Sequence, residues 1–245
     1  MVIQSTSNER IKRYAKLKQK KYRDEEQLFI VEGIDLVNAA LERGVVECII
    51  TTSLDYTCND IEVVYVDRKV IEKLSFTSTP QDIVAVCRFF NNDVNYTSNV
   101  MVLDGIQDPS NAGAIARSCL AFGYDTLVLS SDSVDLYNDK FLRSSKGASF
   151  MLNVIKGDLK EIYKSLKNKG FVIVGSALEN SVNLPLKIEN KNIALVVGNE
   201  GQGISKVTFQ EADHIVKINM SNKMESLNVG VAAAILMYQF SSYSK

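Results

Sequence analysis

The chain has 245 residues, a formal net charge of −1 at pH 7, and 46% apolar and 23% charged residues. These proportions are typical of a globular protein with one large or two small domains. The N-terminal sequence lacks the apolar core of a signal peptide, and the longest apolar run, near Val229 to Tyr238, is too short to cross a bilayer. We therefore expect a cytoplasmic protein that does not enter a membrane.

Cysteine and histidine usage argues against several kinds of site. Cys48, Cys58, Cys87 and Cys119 lie far apart without a Cys-x-x-Cys pair, and His214 is the only histidine. A structural zinc site needs closely spaced ligands of these types, so we expect no metal. A serine or cysteine hydrolase needs a placed base beside its nucleophile, and one histidine beside a predicted strand makes that class unfavourable. The cysteines fit small buried apolar side chains in a reducing compartment.

Residues 1–24 form a basic segment. From Glu9 to Arg23, eight lysines and arginines stand against a single acid. Such a run is typical either of a solvated helix face or of an arm that contacts nucleic-acid phosphates. We predict the arm, with six RNA-contacting side chains: Arg10, Lys12, Arg13, Lys16, Lys18 and Lys20. Thr6 and Glu9 fit a capping box at the start of a short helix.

Residues 25–90 predict a small α/β domain. Four apolar runs predict strands: Phe29–Val31, Val45–Thr51, Val63–Val66 and Ile83–Phe89. Gly44 is placed to end one intervening helix, and Asp67 to cap another. Residues 91–99 are polar and rich in turn-forming side chains, so they predict a linker.

Residues 100–245 predict a second, larger domain. Five further apolar runs predict strands: Val100–Leu103, Thr126–Leu129, Phe171–Val174, Ile193–Val197 and Ile215–Ile218. Helical patterns fall between them, and the last runs from about Asn228 to Phe240. Strands that alternate with helices predict a parallel sheet covered on both faces.

The run IALVVGNEGQGIS (residues 193–205) ends a buried strand in a glycine-rich loop. Gly198, Gly201 and Gly203 allow a ligand to approach the backbone, and ligands bind at this edge of open α/β sheets. A plain turn is the alternative. The order Gly-x-x-Gly-x-Gly is not that of dinucleotide sites, and Glu200 would repel a pyrophosphate. A nicotinamide cofactor is therefore disfavoured.

A second motif, DGIQDPSNAGAIAR (residues 104–117), favours a helix that starts at its Pro-Ser pair. Arg117 follows Gly113 by four residues and Ser110 by seven, so the three share one helix face. An arginine beside a glycine near a helix N-terminus suits an anionic oxygen such as a phosphate. A surface arginine beside a packing notch is an equally good interpretation.

A third motif, INMSNKMESLNVGVAAAI (residues 218–235), joins a strand end to a helix through a polar loop. Ser226 or Asn228 is placed to cap that helix, which is rich in small residues. The plainer interpretation is a capped core helix whose buried side includes Val229 and Ala233.

Together these motifs closely resemble the signature motifs of the SpoU (TrmH) family of RNA ribose methyltransferases, within the SPOUT superfamily. The match extends from Val100 to the C-terminus, and GNEGQGIS with ESLNVGVAAAI is its most specific part. The family often has glycine where Ser110 stands and serine where Gly230 stands. Glu32-Gly33 and Thr79-Pro-Gln-Asp-Ile83 resemble patterns of the ribosomal protein L30e-like substrate-binding domain that is often fused ahead of it.

The resemblance implies a fold and a site that residue patterns alone do not predict. The C-terminal chain would form a deep trefoil knot, although threaded chains are very rare. Its loops would hold S-adenosylmethionine in a bent shape. The implied cofactor-binding residues are Gly198, Ile218, Leu227, Ser176, Ala177, Asn199 and Met220. The implied catalytic residues are Arg117, Asn111, Glu200, Ser226 and Asn228.

The implied reaction is methyl transfer from S-adenosylmethionine to a ribose 2′-hydroxyl of RNA. Members are typically homodimers, with the last helix near the interface and Arg117 and Asn111 facing the partner's cofactor pocket. The fused first domain and the basic arm favour ribosomal RNA as substrate. Transfer RNA, and a non-catalytic RNA-binding protein on the same fold, are the alternatives.

Overall fold

The structure is a computed structural model that describes residues 2–90, 96–188, 192–221 and 223–241. Residues 91–95, the first part of the predicted linker, lie outside the described residues. The strands of the described residues are β1 (Val2–Ile3), β2 (Leu28–Glu32), β3 (Val46–Thr51), β4 (Glu62–Val66), β5 (Ile83–Arg88), β6 (Val100–Asp104), β7 (Thr126–Ser130), β8 (Asn153–Gly157), β9 (Val172–Ser176), β10 (Val182–Asn183), β11 (Ile193–Gly198) and β12 (His214–Lys217). The helices are α1 (Glu9–Lys16), α2 (Lys20–Glu26), α3 (Ile34–Glu42), α4 (Arg68–Leu74), α5 (Pro109–Ala121), α6 (Asp139–Ser145), α7 (Ala148–Met151), α8 (Leu159–Asn168), α9 (Lys206–Glu211) and α10 (Val229–Phe240).

The chain forms two compact units. The first unit is Met1–Asn91 together with Leu136–Met151, and the second is Asn92–Asp135 together with Leu152–Lys245. The sequence interpretation, in contrast, assigned all of 100–245 to one domain. The segment that carries α6 and α7 therefore contributes to the first unit although it lies between two parts of the second.

The first unit contains a mixed five-stranded sheet in the order β1-β4-β3-β5-β2. Strands β1, β4 and β3 are parallel, and β5 runs antiparallel to both β3 and β2. Apolar side chains of α1 and α4, such as Ile11, Tyr14 and Ile71, pack with Ile30 and Val86 of the sheet in one buried cluster. Because burial of such side chains is the main favourable term in folding, this cluster anchors the N-terminal helix to the sheet.

An aromatic cluster attaches residues 136–151 to the rest of the first unit. The Phe29 ring centroid lies 4.7 Å from that of Tyr137 and 6.2 Å from that of Phe150. The Tyr137 hydroxyl donates to the Phe90 carbonyl at 3.0 Å and accepts from the Phe90 amide at 3.0 Å. Aromatic pairs at these distances contribute beyond their buried area, so the segment is an integral part of this unit.

The second unit contains a seven-stranded sheet in the order β10-β12-β9-β11-β6-β7-β8, and every pair is parallel. This confirms the predicted α/β class with a parallel sheet. Side chains of α8, such as Ile162 and Tyr163, pack against Val102, Val128 and Val196 on one face. Helix α10 packs against β11, and α5 packs against β7. The trefoil knot stays a prediction.

The strand order places the carboxyl ends of β6, β9, β11 and β12 at the same edge of the sheet. The chain leaves β6 toward β7 and β8, and later returns so that β11 lies between β9 and β6. In open α/β sheets a crevice at such a reversal is the usual ligand site. The glycine-rich loop after β11 begins at this edge.

Two of the predicted helix ends are confirmed, since Gly44 follows the end of α3 and Asp67 caps α4. The prediction at the N-terminus of the chain is not. Asn8, and not Thr6, is the N-cap of α1, since its side chain accepts from the amides of Arg10 and Ile11. The predicted capping box is therefore wrong. Asn228 caps α10 by accepting from the amides of Gly230 and Val231, which decides between the two capping residues considered above.

Candidate active site

The glycine-rich loop after β11 folds into a tight antiparallel hairpin. The Asn199 amide donates to the Gly203 carbonyl at 2.9 Å, and the Gly203 amide donates back to Asn199 at 2.8 Å. A Cβ atom added to Gly198 would lie 2.1 Å from the Gly203 carbonyl carbon, which no side chain can satisfy. Gly203 has a φ of +71°, in the left-handed region that favours glycine. Both glycines are therefore needed to close this loop.

The Asn199 side chain is committed to the same loop. Its Nδ2 donates to the Gly105 carbonyl at 2.9 Å, and its Oδ1 accepts from the amides of Gly201 and Gln202 at 2.9 and 3.1 Å. Asn199 thus holds the hairpin together and ties it to the end of β6.

A cavity of about 490 Å³ lies at the carboxyl edge of β9, β11 and β12. This volume is within the usual range for small-molecule sites. Its lining residues come from three segments: Ser176, Ala177, Leu178 and Glu179; Val197 to Ile204 with Phe209; and Lys217, Ile218, Met220, Ser226, Leu227, Val229 and Ala232. Apolar side chains and backbone groups therefore alternate around the cavity with a small number of charged groups.

The cavity contains every residue that the resemblance assigned to the cofactor. These are Ser176, Ala177, Gly198, Asn199, Ile218, Met220 and Leu227. Glu200 and Ser226, assigned to catalysis, also line it. The lining side chains that were not assigned include two charged ones and an aromatic one: Glu179, Lys217 and Phe209. Lys217 is the last residue of β12, and a charged side chain at a strand's carboxyl end is a signal that could have identified it.

A hydrogen-bond network joins Glu200 to two asparagines assigned to catalysis. Asn111 Nδ2 donates to Glu200 Oε1 at 2.7 Å, and Asn228 Nδ2 donates to Asn111 Oδ1 at 3.0 Å. Asn228 Oδ1 in turn accepts from the Gly230 amide at 2.9 Å. The start of α5, the glycine-rich loop and the start of α10 are thereby held together at one side of the cavity. The Glu200 carboxylate is fixed in orientation by a neutral donor.

Arg117 lies apart from this network. It is exposed on α5, it does not line the cavity, and it has no hydrogen bond or ion pair within the described residues. Gly230 of α10 approaches the same helix, because a Cβ added there would lie 3.7 Å from the Ala114 Cβ. The Arg117 guanidinium is therefore available to a group outside the described part of the chain.

The buried carboxylate of Asp104 lies at the end of β6, next to the glycine-rich loop. Asp104 Oδ2 accepts from the Ser205 amide and from the Thr208 hydroxyl, both at 2.6 Å. The Tyr163 hydroxyl lies 2.7 Å from that of Thr208. Burial raises the pKa of Tyr163, which keeps this hydroxyl neutral at physiological pH. Asp104 is a site feature that the sequence interpretation missed.

The basic segment of the first unit is more constrained than its sequence suggests. Arg10 donates to both oxygens of Glu62 at 2.7 and 2.6 Å, which raises the pKa of Arg10. Arg13 pairs with Glu26. The remaining predicted contacts are Lys12, paired with Glu9; Lys20, paired with Asp24; Lys18, which donates to the Ser75 carbonyl; and Lys16, over the Tyr22 ring. Most of these cations therefore already have a partner within the unit.

The described residues show neither a metal site nor a membrane span. They contain no group of three or more His, Cys, Asp or Glu side chains that could hold a metal ion. In the same ranges, no helix has both the length and the apolar character needed to pass through a membrane.

Comparison with known proteins identifies relatives of both units. Residues 98–238 match the SpoU rRNA Methylase family, and residues 8–85 match the MRM3-like substrate binding domain. The chain is 33% identical over 241 residues to the 23S rRNA (guanosine(2553)-2'-O)-methyltransferase RlmP of Bacillus subtilis (strain 168), covering 96% of this chain and 97% of the relative.

Two crystal structures share the fold over nearly the whole chain. That of an RNA 2'-O ribose methyltransferase has a TM-score of 0.82 at 28% identity, covering 98% of this chain and 97% of the other. That of an AdoMet-bound rRNA methyltransferase from Sinorhizobium meliloti has a TM-score of 0.89 at 24% identity, covering 98% and 96%. The match therefore includes both units of the chain.

Proposed function

The chain belongs to the SpoU rRNA methylase family, and we propose that it transfers a methyl group from S-adenosylmethionine to a ribose 2′-hydroxyl of ribosomal RNA. The observation that carries this proposal is the cavity at the carboxyl edge of β9, β11 and β12. All seven residues assigned to the cofactor from the family motifs line it. The full-length relative named above is a 23S rRNA 2'-O-methyltransferase, which supports the RNA class.

The residues around the cavity suit S-adenosylmethionine. Apolar side chains such as Leu227 and Val229 suit the adenine ring and the methylene groups. Glu179 and Lys217 carry the charges that the ammonium and carboxylate of an amino acid require. Backbone groups of Gly198 and Ile218 add further polar surface. The bound cofactor supplies an electrophilic methyl group on a positively charged sulfur.

We propose that the Arg117 guanidinium contacts the target phosphate and the ribose 2′-oxygen, which loses its proton during methyl transfer. An arginine side chain is effectively always protonated in proteins, so a role for the charged guanidinium is favoured over a role as general base. A fixed cation stabilises the negative charge that develops on the attacking oxygen. The site is also shaped by Asn111, Glu200 and Asn228, through the hydrogen bonds that join them. Ser226 contributes to the same site as a lining residue of the cavity.

The test of this assignment separates binding from transfer. Arg117→Ala is expected to abolish transfer of a tritiated methyl group to RNA while cofactor affinity, measured by calorimetry, changes by less than about threefold. Ser118→Ala, on the next residue of the same helix, is the matched control. Wild-type turnover in Arg117→Ala would remove Arg117 from the site.

We also propose a homodimer formed through α10 and the end of α5. Val231, Ile235 and Tyr238 on α10 are 50%, 41% and 52% exposed, and Leu120 on α5 is 37% exposed. A patch of apolar side chains on adjacent helices is typical of a protein interface. Val231→Glu with Ile235→Glu is expected to give monomers in analytical ultracentrifugation. Leu54→Glu, at another exposed apolar residue, should leave the sedimentation coefficient unchanged.

In this dimer Arg117 would act on the partner's cavity. Mixing Arg117→Ala chains, which have an intact cavity, with Gly198→Ala chains, which have an intact arginine, tests this directly. After subunit exchange, half of the dimers are mixed and carry one complete site, so activity should recover to about a quarter of wild type. If Arg117 serves its own cavity, the mixture stays as inactive as its components.

For the substrate, we propose that large-subunit ribosomal RNA is preferred over transfer RNA. The first unit matches a substrate-binding domain, and the full-length relative carries 23S rRNA in its name. Purified protein is incubated with tritiated S-adenosylmethionine and separate unmodified ribosomal and transfer RNA. Label in ribosomal RNA, at a ribose resistant to nuclease, is the expected result. Label only in transfer RNA would overturn the substrate proposal.

We expect the activity in the cytoplasm, in keeping with the free thiols of all four cysteines.

Within the basic segment, we propose that Lys12, Lys16 and Lys20 contact RNA phosphates. All three are exposed, and exposed pairs such as Lys12 with Glu9 are weak enough for a phosphate to replace the acid. The triple alanine variant should weaken RNA binding and reduce the salt dependence of log K by roughly one unit per lost contact. Lys69→Ala is the control, and an unchanged salt dependence would remove this surface.

A further inference from the structure

The two ends of the glycine-rich loop are tied to two adjacent residues at the end of β6. At the start of the loop, Asn199 Nδ2 donates to the Gly105 carbonyl at 2.9 Å. At its end, the Ser205 amide donates to Asp104 Oδ2 at 2.6 Å. Because Asp104 pairs with Gly198 in the parallel register of β6 and β11, these contacts form a short bridge across the mouth of the loop.

Asp104 is well placed to hold the far end of the loop. The residue is 5% exposed, and Oδ2 accepts from both the Ser205 amide and the hydroxyl of the fully buried Thr208. The Tyr163 hydroxyl supports Thr208 from the opposite side at 2.7 Å. Hydrogen bonds to an ionised acceptor are shorter and about twice as strong as neutral ones. The carboxylate therefore fixes the first turn of α9 to β6.

The near end of the loop does not depend on Asp104. The Asn199–Gly203 hairpin is closed by its own backbone bonds, and Asn199 reaches Gly105 through a carbonyl. Without the Asp104 carboxylate, the hairpin keeps its shape but the segment that leaves it at Ser205 has fewer fixed positions. Ile204, which lines the cavity immediately before Ser205, would then have to be ordered by the ligand. Ordering a loop on binding lowers affinity.

We propose that Asp104 is a positioning residue for the cofactor: it acts through Ser205 and Thr208 to keep the glycine-rich loop in the shape that lines the cavity. This rests on the proposed function for the identity of the ligand. Asp104 itself does not line the cavity, but it holds a loop that does. We therefore expect its loss to change cofactor affinity and to leave RNA binding unchanged.

The test is Asp104→Asn in the full chain. An asparagine keeps the volume and can still accept through its amide oxygen, but this neutral acceptor makes weaker hydrogen bonds to the Ser205 amide and the Thr208 hydroxyl than the carboxylate does. The Kd for S-adenosylmethionine, measured by calorimetry, is expected to rise about tenfold or more. The KM for the cofactor should rise in parallel while the KM for RNA is unchanged, and excess cofactor should restore the rate. General unfolding would instead lower the active fraction without changing either KM.

A matched control and a second pair of variants complete the experiment. Asp158 caps α8 by accepting from the amides of Lys160 and Glu161, and asparagine is an equally good cap, so Asp158→Asn should bind the cofactor as wild type does. Thr208→Val removes one donor to Asp104 and should weaken cofactor binding, whereas Thr208→Ser keeps the hydroxyl and should restore it. This pair decides the question if Asp104→Asn does not fold.

The outcomes separate this inference from the proposed function. Failure of the wild-type protein to bind S-adenosylmethionine would overturn the proposed function, and the inference with it. Wild-type binding together with unchanged affinity in Asp104→Asn and Thr208→Val would overturn the positioning role alone. A higher KM for RNA with an unchanged KM for the cofactor would also overturn the positioning role alone.

Discussion

Each unit of this protein has a buried carboxylate that holds a loop in place. In the second unit Asp104 fixes the end of the glycine-rich loop, and in the first unit Glu32 fixes the loop between α4 and β5. Both residues are 5% exposed. Glu32 accepts from the Phe76 and Gln81 amides at 3.1 and 3.0 Å, and from the hydroxyls of Ser75 and Thr77 at 2.7 and 3.1 Å.

The two carboxylates differ in what their loops surround. The loop that Asp104 holds lines a cavity at the carboxyl edge of a parallel sheet, whereas the Glu32 side chain is itself enclosed by the loop that it holds. Glu32 accepts hydrogen bonds from four donors and lies at the centre of its loop. Asp104 accepts from two donors and holds only one end of its loop. The same local chemistry is thus expected to serve ligand affinity in one unit and stability in the other.

The largest expected effect is at the glycine that the cavity loop requires. Gly198→Ala would place a Cβ atom against the Gly203 backbone, so the hairpin cannot close and cofactor affinity should fall by about a hundredfold or more. Calorimetry measures the affinity. Gly201→Ala is the control, because a Cβ there meets only Asn199 Oδ1 at 3.5 Å. Equal affinities for the two variants would contradict this account of the loop.

The second effect tests Glu32. Glu32→Gln places an amide group among four donors and should destabilise the first unit by about 2–3 kcal/mol. Hydrogen exchange of peptides from β2 and from residues 75–81 measures this, while cofactor affinity should be unchanged. Glu62→Gln removes an exposed partner of Arg10 and should cost less than about 1 kcal/mol. A large loss of cofactor affinity in Glu32→Gln would break the comparison between the loops.

A pH dependence follows from the same carboxylate. Burial opposes ionisation of Glu32, but hydrogen bonds from Ser75, Gln81, Phe76 and Thr77 outweigh it and lower its pKa below the ordinary value of 4.5. A lowered pKa in the folded state stabilises the protein above the unfolded pKa, and this contribution is lost as pH falls through the folded value. The stability difference between wild type and Glu32→Gln should therefore be largest near pH 7 and narrow below about pH 4.5. Hydrogen exchange measures this stability difference across the pH range. A difference that stays constant with pH would contradict the prediction.

The smallest expected effect removes one of the four donors. Thr77→Val deletes a hydroxyl that donates to Glu32 at 3.1 Å while three other donors remain, so the cost should be about 1 kcal/mol. Protection of the Phe76 and Gln81 amides is the measurement. A cost as large as that of Glu32→Gln would show that the four donors act as a single unit.

Much of the fold was predictable because its strands are short runs of buried β-branched residues. Strands β3, β7 and β11 fall within a residue of their predicted bounds. Strand β8 was missed because NVIKG mixes polar and apolar side chains at the edge of the sheet. The N-cap of α1 was misplaced because Thr6 and Asn8 are both good capping residues, and only the backbone path decides between them.

The site was predictable where it depends on motifs and not where it depends on distant partners. The cavity residues followed from motif resemblance, since composition and periodicity predict only a ligand site after β11. The role of Asp104 depends on Ser205, 101 residues later in the chain. In the same way, the basic segment gave no sign that Arg10 would pair with Glu62, 52 residues away. Contacts of this range depend on the tertiary fold.

The discontinuous first unit has a consequence for synthesis of the chain. Phe29 and Phe90 are made early. Tyr137 and Phe150, whose rings complete their cluster, follow about 50 and 60 residues after Phe90. At roughly 5–20 residues per second, translation reaches Phe150 about 3–12 s after Phe90. During that interval the nascent chain has an incomplete aromatic core. The first unit therefore cannot finish folding before residues 92–135 of the second unit have been synthesised.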